Sequence, residues 1–309
     1  MMREAVVETR GSGDAPAPAP APGDVVGGWR RTWERGVAEA AGRGDERLAA
    51  RRRDYGSYLF VAIDLVLAIA AVGARSLPLV LIATAVYVGT GHRYGTQAEQ
   101  TAFQAWLQAP QFNTPALLLT DAGIMLVLWF RLRRMRLPWS AFGLGAALRN
   151  RAGRAVLVGL GLGVAAIVLS DIVTVALQRL GADVGGQDRA LIEPLRSAPG
   201  WAVLLFVFAG TFVAPVVEET LFRGYVFRAL AARKSVPLAY LISAGTFAAV
   251  HLGEGRTLKE LLPIVPALFI VGALLCFAYH RTGNLLSDIT AHVVNNGVAF
   301  AAALLLRQS

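Results

Sequence analysis

A succession of apolar stretches is the feature that most constrains how this chain can fold. The hydrocarbon core of a bilayer is about 30 Å thick, so a crossing helix needs about 20 mostly apolar residues. Such stretches occur at 58–88, 117–130, 154–180, 201–223, 236–251, 261–279 and 285–306. Because lipid offers no hydrogen-bond partners, a spanning segment must satisfy its own backbone polar groups as a helix. The sequence therefore predicts an all-α fold, a polytopic transmembrane helical bundle.

The first apolar stretch decides how many spans we expect. Residues 58–88 are interrupted by Arg75 and Pro78, so they form either one kinked crossing, giving seven spans in total, or a hairpin, giving eight. Arginine-rich segments stay on the cytoplasmic side. The run at 131–136 is therefore expected inside and residues 92–114 outside, which favours one crossing. The amino-terminal part lacks the apolar core of a secretory signal, so we expect a multi-pass cell-membrane protein with a cytoplasmic amino terminus.

Composition divides the chain into three predicted regions. Residues 1–55 combine an Ala- and Pro-rich tail, predicted to be disordered up to residue 28, with a charged juxtamembrane helix at 29–53. Residues 56–150 hold the first spans and a short, mixed segment at 137–150 that is typical of an interfacial helix. Residues 151–309 form the predicted C-terminal transmembrane core.

Charge and cysteine content exclude several classes of protein. The net charge is +9, but the basic residues cluster beside apolar stretches, where they set topology. We therefore expect the lipid bilayer, and not nucleic acid, as a partner. Apart from Lys234 and Lys259 the basic residues are arginines, which indicates a high-GC bacterial genome. The single cysteine, Cys276, excludes a disulfide framework and a cysteine-rich metal site.

An ionisable motif ends the apolar stretch at 201–223. Glu218 and Glu219 are adjacent, and an acid at membrane depth costs at least ~2.5 kcal/mol, so it is usually kept for a function. Glu219 and Arg223 are an i,i+4 pair on one helical face, which predicts a structural ion pair. Glu218 is rotated away from that face and is predicted to be the reactive acid. Pro215, just before the motif, is expected to free a backbone carbonyl and kink the helix.

Two later apolar stretches each carry a histidine. His251 ends the stretch at 236–251, and His292 precedes Asn296 by four residues, so these two share one helical face. A lone histidine of this kind is more often a packing residue than a site residue. Glu218, His251, His292 and Asn296 could converge on one point. We therefore expect a polar cavity among the C-terminal helices. Asp288 lies beside Ser287 at a predicted helix start and is interpreted as a cap.

The three motifs together resemble the signatures of a known family. Glu218-Glu219-x-x-x-Arg223, Phe247-x-x-x-His251 and His292-x-x-x-Asn296 are similar, in that order, to those of the CPBP family of intramembrane CAAX-type proteases and bacteriocin-processing or self-immunity proteins, also called the Abi family. The resemblance covers about residues 115–306. It implies a membrane endopeptidase that cuts a peptide bond in a membrane-anchored or lipid-modified, CAAX-like peptide.

The same resemblance implies catalytic roles for Glu218, His251, His292 and Asn296, with Glu219 and Arg223 in support. Glu218 with His251 would activate a water, and His292 with Asn296 would donate to the oxyanion. Glu218, His251 and His292 also form a possible Zn²⁺ set, although the chain has no His-Glu-x-x-His helix. A metal-free glutamate scheme fits the same residues. The alternative function is a non-catalytic membrane scaffold or bacteriocin self-immunity protein that uses the cluster for packing or binding.

Overall fold

The computed structural model describes residues 24–55, 61–62, 81–82, 84–93, 95–144, 147–182, 192–193, 195–196, 198–233, 235–251 and 258–307. All regular structure in these ranges is helical, which confirms the predicted all-α class. The helices are α1 (Val25–Gly42), α2 (Glu46–Asp54), α3 (Gln97–Gln108), α4 (Pro110–Met135), α5 (Ala147–Arg179), α6 (Gly200–Arg233), α7 (Val236–Val250), α8 (Leu258–Thr282) and α9 (Leu285–Leu306).

Five of these helices are long and apolar enough to cross a membrane. They are α4, the Ala152–Arg179 part of α5, α6, the Ile264–Thr282 part of α8, and α9, while α7 is a shorter apolar helix. Large apolar side chains on α5 and α6 are exposed, as expected of surfaces that face lipid. The predicted total of seven or eight spans stays a prediction, because most of residues 58–80 lie outside the described ranges.

Three predicted boundaries are wrong. The apolar stretch at 201–223 continues as a helix to Arg233, since the residues after Arg223 remain helix-compatible and buried. Residues 25–28, predicted to be the end of a disordered tail, are instead the first turn of a helix that Asp24 caps; residues 1–23 lie outside the described part. In place of the interfacial helix expected at 137–150, the described residues form a 3₁₀ turn at Trp139–Phe142, which Gly143 ends with a φ of 90°, and the first residues of α5 from Ala147 onward.

The amino-terminal helices pack against the bundle and do not merely lie on its surface. The Trp29 ring stacks on Tyr279 of α8 at a centroid distance of 4.9 Å and is 8% exposed. The buried Arg52 donates to the carbonyls of Met135, Arg136 and Gly36. These bonds fix α1 and α2 against the arginine-rich end of α4.

Small residues on α5 set the position of α9, the helix that carries His292. A Cβ atom on Gly159 would lie 2.5 Å from the Ser287 carbonyl oxygen, and one on Gly163 would lie 2.7 Å from Cβ of Val294. The two helices can approach this closely only because these positions lack side chains, as is common between transmembrane helices. The backbone of α9 is therefore held where His292 can reach α6.

Candidate active site

Helix α6 contains two π-helical segments, Ala209–Val213 and Thr220–Phe227, on either side of the α-helical turn Ala214–Glu219 that carries the acids. Such segments are rare and often lie at functional sites. In the first, the Ala214 N–H bonds to the Ala209 carbonyl, five residues back. The next bond in this register would join residue 215 to the Gly210 carbonyl, but Pro215 has no N–H.

Asn296 of α9 supplies the donor that Pro215 lacks. Its Nδ2 donates to the Gly210 carbonyl oxygen at 2.9 Å. The expectation that Pro215 frees a carbonyl is thus confirmed, with Gly210 as the acceptor because the register is π. The bond joins the start of the acidic turn to the helix that carries His292.

Glu219 is the centre of the polar cluster. Its side chain is fully buried, and its Oε1 atom accepts from Arg223 Nη1 at 2.9 Å. The same oxygen lies 2.8 Å from His292 Nδ1. A carboxylate only accepts, so Nδ1 carries the proton and Nε2 is left for other partners. The predicted Glu219–Arg223 pair is therefore confirmed, while the bond from Glu219 to His292 was not foreseen.

Arg223 is also fully buried and has two further contacts. Its Nη2 donates to the Gly272 carbonyl of α8 at 2.9 Å. Its guanidinium carbon lies 4.6 Å from the ring centroid of Phe247 on α7, a cation–π distance. One arginine thus links three helices behind the acids, and removing its carboxylate partner would strand a buried charge.

Glu218 points away from the Glu219–Arg223 pair, as the helical spacing predicts. Its Oε2 atom lies 3.9 Å from His292 Nε2, and its side chain is 23% exposed. That oxygen is buried and has no hydrogen-bond partner within the described residues. The distance exceeds a direct hydrogen bond but keeps the two atoms close to each other. Glu218 and His292 are therefore brought together.

His251 joins the cluster through Phe247. Its Nδ1 lies 2.7 Å from the Phe247 carbonyl oxygen, and since a carbonyl only accepts, Nδ1 carries the proton. The Phe247 ring lies 4.9 Å from the His251 ring and 5.7 Å from the His292 ring, centroid to centroid. Both histidines contact this one ring, and both are left with Nε2 as the basic nitrogen.

Asp288 does not cap α9. Asn284 is the cap, since its side chain accepts from the Leu286 N–H, and Asp288 is fully buried in the first turn. The carboxyl group of Asp288 lies within electrostatic range of Glu219 and Arg223. The interpretation of Asp288 as the N-cap was wrong, because Asn284, two residues before Leu286, offers the better acceptor.

Sequence comparison identifies the segment that carries this cluster. Residues 199–298 match the family model described as type II CAAX prenyl endopeptidase Rce1-like. The matched segment supports the resemblance to the CPBP family of CAAX-type proteases. The matched segment contains both acids, Arg223, both histidines and Asn296. The family is one of endopeptidases, which supports an enzyme of that class. Comparisons with curated proteins and with solved structures gave no match.

The acids and histidines of this cluster are side chains of the kind that bind metal ions. A catalytic zinc site takes about three protein ligands around the ion. Among the described residues, no three His, Cys, Asp or Glu side chains are placed to hold a metal together. Glu218, His251 and His292 thus do not form a ligand group in this arrangement, and a requirement for Zn²⁺ stays a prediction.

Proposed function

We propose that this chain is an intramembrane endopeptidase that hydrolyses a peptide bond in a membrane-anchored or lipid-modified, CAAX-like peptide. The observation that carries the proposal is the approach of Glu218 to His292, backed by the buried Glu219–Arg223 pair. All four residues lie in the segment that matches the Rce1-like model.

Glu218 acts as the general base. Its unpartnered Oε2 and the nearby His292 Nε2 bind one water between them. The carboxylate takes a proton from this water as the water oxygen attacks the scissile carbonyl carbon. The tetrahedral intermediate then collapses, the C–N bond breaks, and the proton passes from Glu218 to the leaving nitrogen.

The histidines and Asn296 stabilise the charge that develops on the carbonyl oxygen. Glu219 accepts from His292 Nδ1, so donation from Nε2 to the oxyanion requires the imidazolium form, in which both ring nitrogens carry a proton, and the Glu219 carboxylate would stabilise that form. One N–H of Asn296 is bonded to Gly210, and the second N–H of the same amide is available as a donor. His251 assists Glu218 in polarising the water.

The substrate reaches the acids from the lipid. Phe212 is 50% exposed and Val216 is 37% exposed on the same helix as Glu218, which is the pattern of a surface open to acyl or prenyl chains. A peptide held in the bilayer by a lipid or an apolar segment would approach along this face. This access route favours membrane-anchored substrates over free soluble peptides.

The test is cleavage in proteoliposomes. A synthetic peptide with a farnesylated cysteine three residues from its carboxyl terminus is compared with the same peptide lacking the isoprenoid, and released products are measured by mass spectrometry. We expect the wild-type chain to cut the farnesylated peptide and His292→Ala to lose the cut. No cleavage by the wild type, or equal cleavage by the variant, would overturn the proposal.

A scaffold or self-immunity protein is the second candidate function. Arg223 is bonded to Glu219 and to a backbone carbonyl of α8, and Asn296 is bonded to a backbone carbonyl of α6. These bonds between helices would serve packing equally well. If this is the function, the Glu218→Ala and His292→Ala variants should each restore the wild-type phenotype when they are expressed in a strain that lacks the gene. A protease predicts that neither does.

A further inference from the structure

A cleft lies at the arginine-rich end of the bundle, apart from the acids of α6. Its walls are formed by α1, by the ends of α2 and α4, and by the last turns of α6. Its volume is about 70 Å³, well above the space that one water needs. The ends of two candidate membrane spans, α4 and α6, border it, so with these helices across a bilayer the cleft would lie near the level of the headgroups.

The lining combines apolar surface with three cations. Arg52, Arg228 and Arg233 line this cationic cleft, and no Asp or Glu is among its lining residues in the described part of the chain. Within the described ranges, the hydrogen bonds of Arg52 go to backbone carbonyls, whose oxygens carry no formal negative charge. Asp54, in electrostatic range of Arg233, is outside the lining.

Two tryptophans hold the other arginines in place. The Arg233 guanidinium carbon lies 4.1 Å from the Trp33 ring, and that of Arg228 lies 5.2 Å from the Trp29 ring. Arg233 Nη1 donates to the Tyr55 carbonyl and Arg228 Nη1 to the Ser140 carbonyl, and the remaining edge N–H groups of each stacked guanidinium are the donors that an anion would meet. Arginines placed on aromatic rings are therefore already oriented for phosphate oxygens.

Tyr55 is another lining residue of this cleft, and its side chain carries a neutral donor. Its hydroxyl is buried and has no hydrogen-bond partner within the described residues. A buried hydroxyl without a partner costs free energy, which a ligand oxygen would recover. Burial raises the pKa of the Tyr55 phenol, so the hydroxyl keeps its proton and can donate.

We propose that the cationic cleft binds the phosphate headgroup of an anionic phospholipid from the adjoining leaflet. Three arginines and one hydroxyl match the phosphate, and the apolar walls match the first part of the acyl chains. A free phosphate ion would use the cations but not the apolar walls. The bound lipid would tie α1 and α2 to the ends of α4 and α6.

The binding assay uses the full chain in a neutral detergent. Native mass spectrometry measures adducts of dioctanoyl phosphatidylglycerol, with dioctanoyl phosphatidylcholine and inorganic phosphate as comparison ligands. The variants are Arg228→Gln with Arg233→Gln, and as matched control Arg133→Gln with Arg134→Gln, two exposed arginines at the end of α4. At ~1 kcal/mol for each basic residue, the cleft pair should weaken phosphatidylglycerol binding about tenfold or more and the control pair should not.

A second variant pair guards against loss of folding. Thr32 lines the cleft from an exposed position on α1, and Ala38 is exposed on the same helix but outside the lining. Thr32→Glu should weaken phosphatidylglycerol binding about fivefold through charge repulsion, and Ala38→Glu should leave it unchanged.

Three results would overturn the proposal. The first is equal binding of phosphatidylcholine and phosphatidylglycerol by the wild type. The second is equal weakening by a cleft variant and its matched control, which would indicate diffuse surface attraction. The third is displacement of phosphatidylglycerol by inorganic phosphate at the same concentration, which would identify a free phosphate site.

Discussion

Glu219 Oε1 lies 2.8 Å from His292 Nδ1, so the second acid of the motif orients the histidine that faces the first. The same oxygen accepts from Arg223, and all three side chains are buried. A carboxylate that holds a histidine in one tautomer is a common supporting arrangement in active sites. The two adjacent glutamates therefore have different tasks, one structural and one facing the proposed reaction centre.

Glu219→Gln should lower stability and activity together. The substitution keeps the shape of the side chain but leaves Arg223 buried without a counter-charge, at a cost of about 3 kcal/mol. Thermal unfolding and cleavage rate are measured on the same preparation. The double variant Glu219→Gln with Arg223→Met should be less destabilised than the sum of the single variants. Additive losses would contradict a direct charge pair.

The Asn296 bond to Gly210 can be isolated by restoring the missing backbone donor. Asn296→Ala should cost about 1 to 3 kcal/mol because it leaves a carbonyl without a partner. In a Pro215→Ala background, residue 215 has an N–H that can bond to Gly210 in the π register, so Asn296→Ala should cost less. Unfolding of the four chains in the cycle gives the coupling. An equal cost in both backgrounds would show that Asn296 does not replace the Pro215 donor.

The close approach of α5 to α9 predicts a contrast between two glycines. Gly159→Ala would place its Cβ 2.5 Å from the Ser287 carbonyl oxygen and should destabilise the fold by about 1 to 3 kcal/mol. Gly161 has nothing within 4 Å of a built Cβ, so Gly161→Ala is the matched control and should be neutral or slightly stabilising. Thermal unfolding and cleavage are the measurements. Equal effects would contradict the packing of α9 on α5.

Local spacing predicted much of the helical structure and part of the cluster. The i,i+4 relation of Glu219 and Arg223 and the boundaries of α9 follow from periodicity within one helix, and the structure has both. The missing N–H of Pro215 follows from its ring. These features depend only on residues a few positions apart, which a sequence displays directly.

Contacts between distant residues could not be read in this way. The bond from Glu219 to His292 joins positions 73 apart, and that from Asn296 to Gly210 joins positions 86 apart, so both depend on how the helices pack. The π-helical hydrogen bonding of α6 likewise depends on how the helix packs, and no amino-acid propensity predicts it. Phe247 contacts both histidines, but in the sequence it was recognisable only as part of a family motif.

Chelation separates the two water-activation schemes. The described geometry brings no three ligand side chains together for a metal, so we expect cleavage to persist after treatment with 1,10-phenanthroline and dialysis. The measurement is the initial rate before and after treatment, with added Zn²⁺ as the return arm. A loss of activity that Zn²⁺ restores would establish a metal enzyme and would require Glu218, His251 and His292 to draw together.

The most direct test of the central claim compares Glu218→Gln with the wild type in the proteoliposome cleavage assay, with thermal unfolding measured in parallel. Glu218 is partly exposed and lacks the buried ion pair of Glu219, so its substitution should leave the unfolding temperature nearly unchanged. We predict that the cleavage rate falls by about 10²-fold to 10⁴-fold, the contribution of a general base. A folded Glu218→Gln variant that cuts at the wild-type rate would contradict the account.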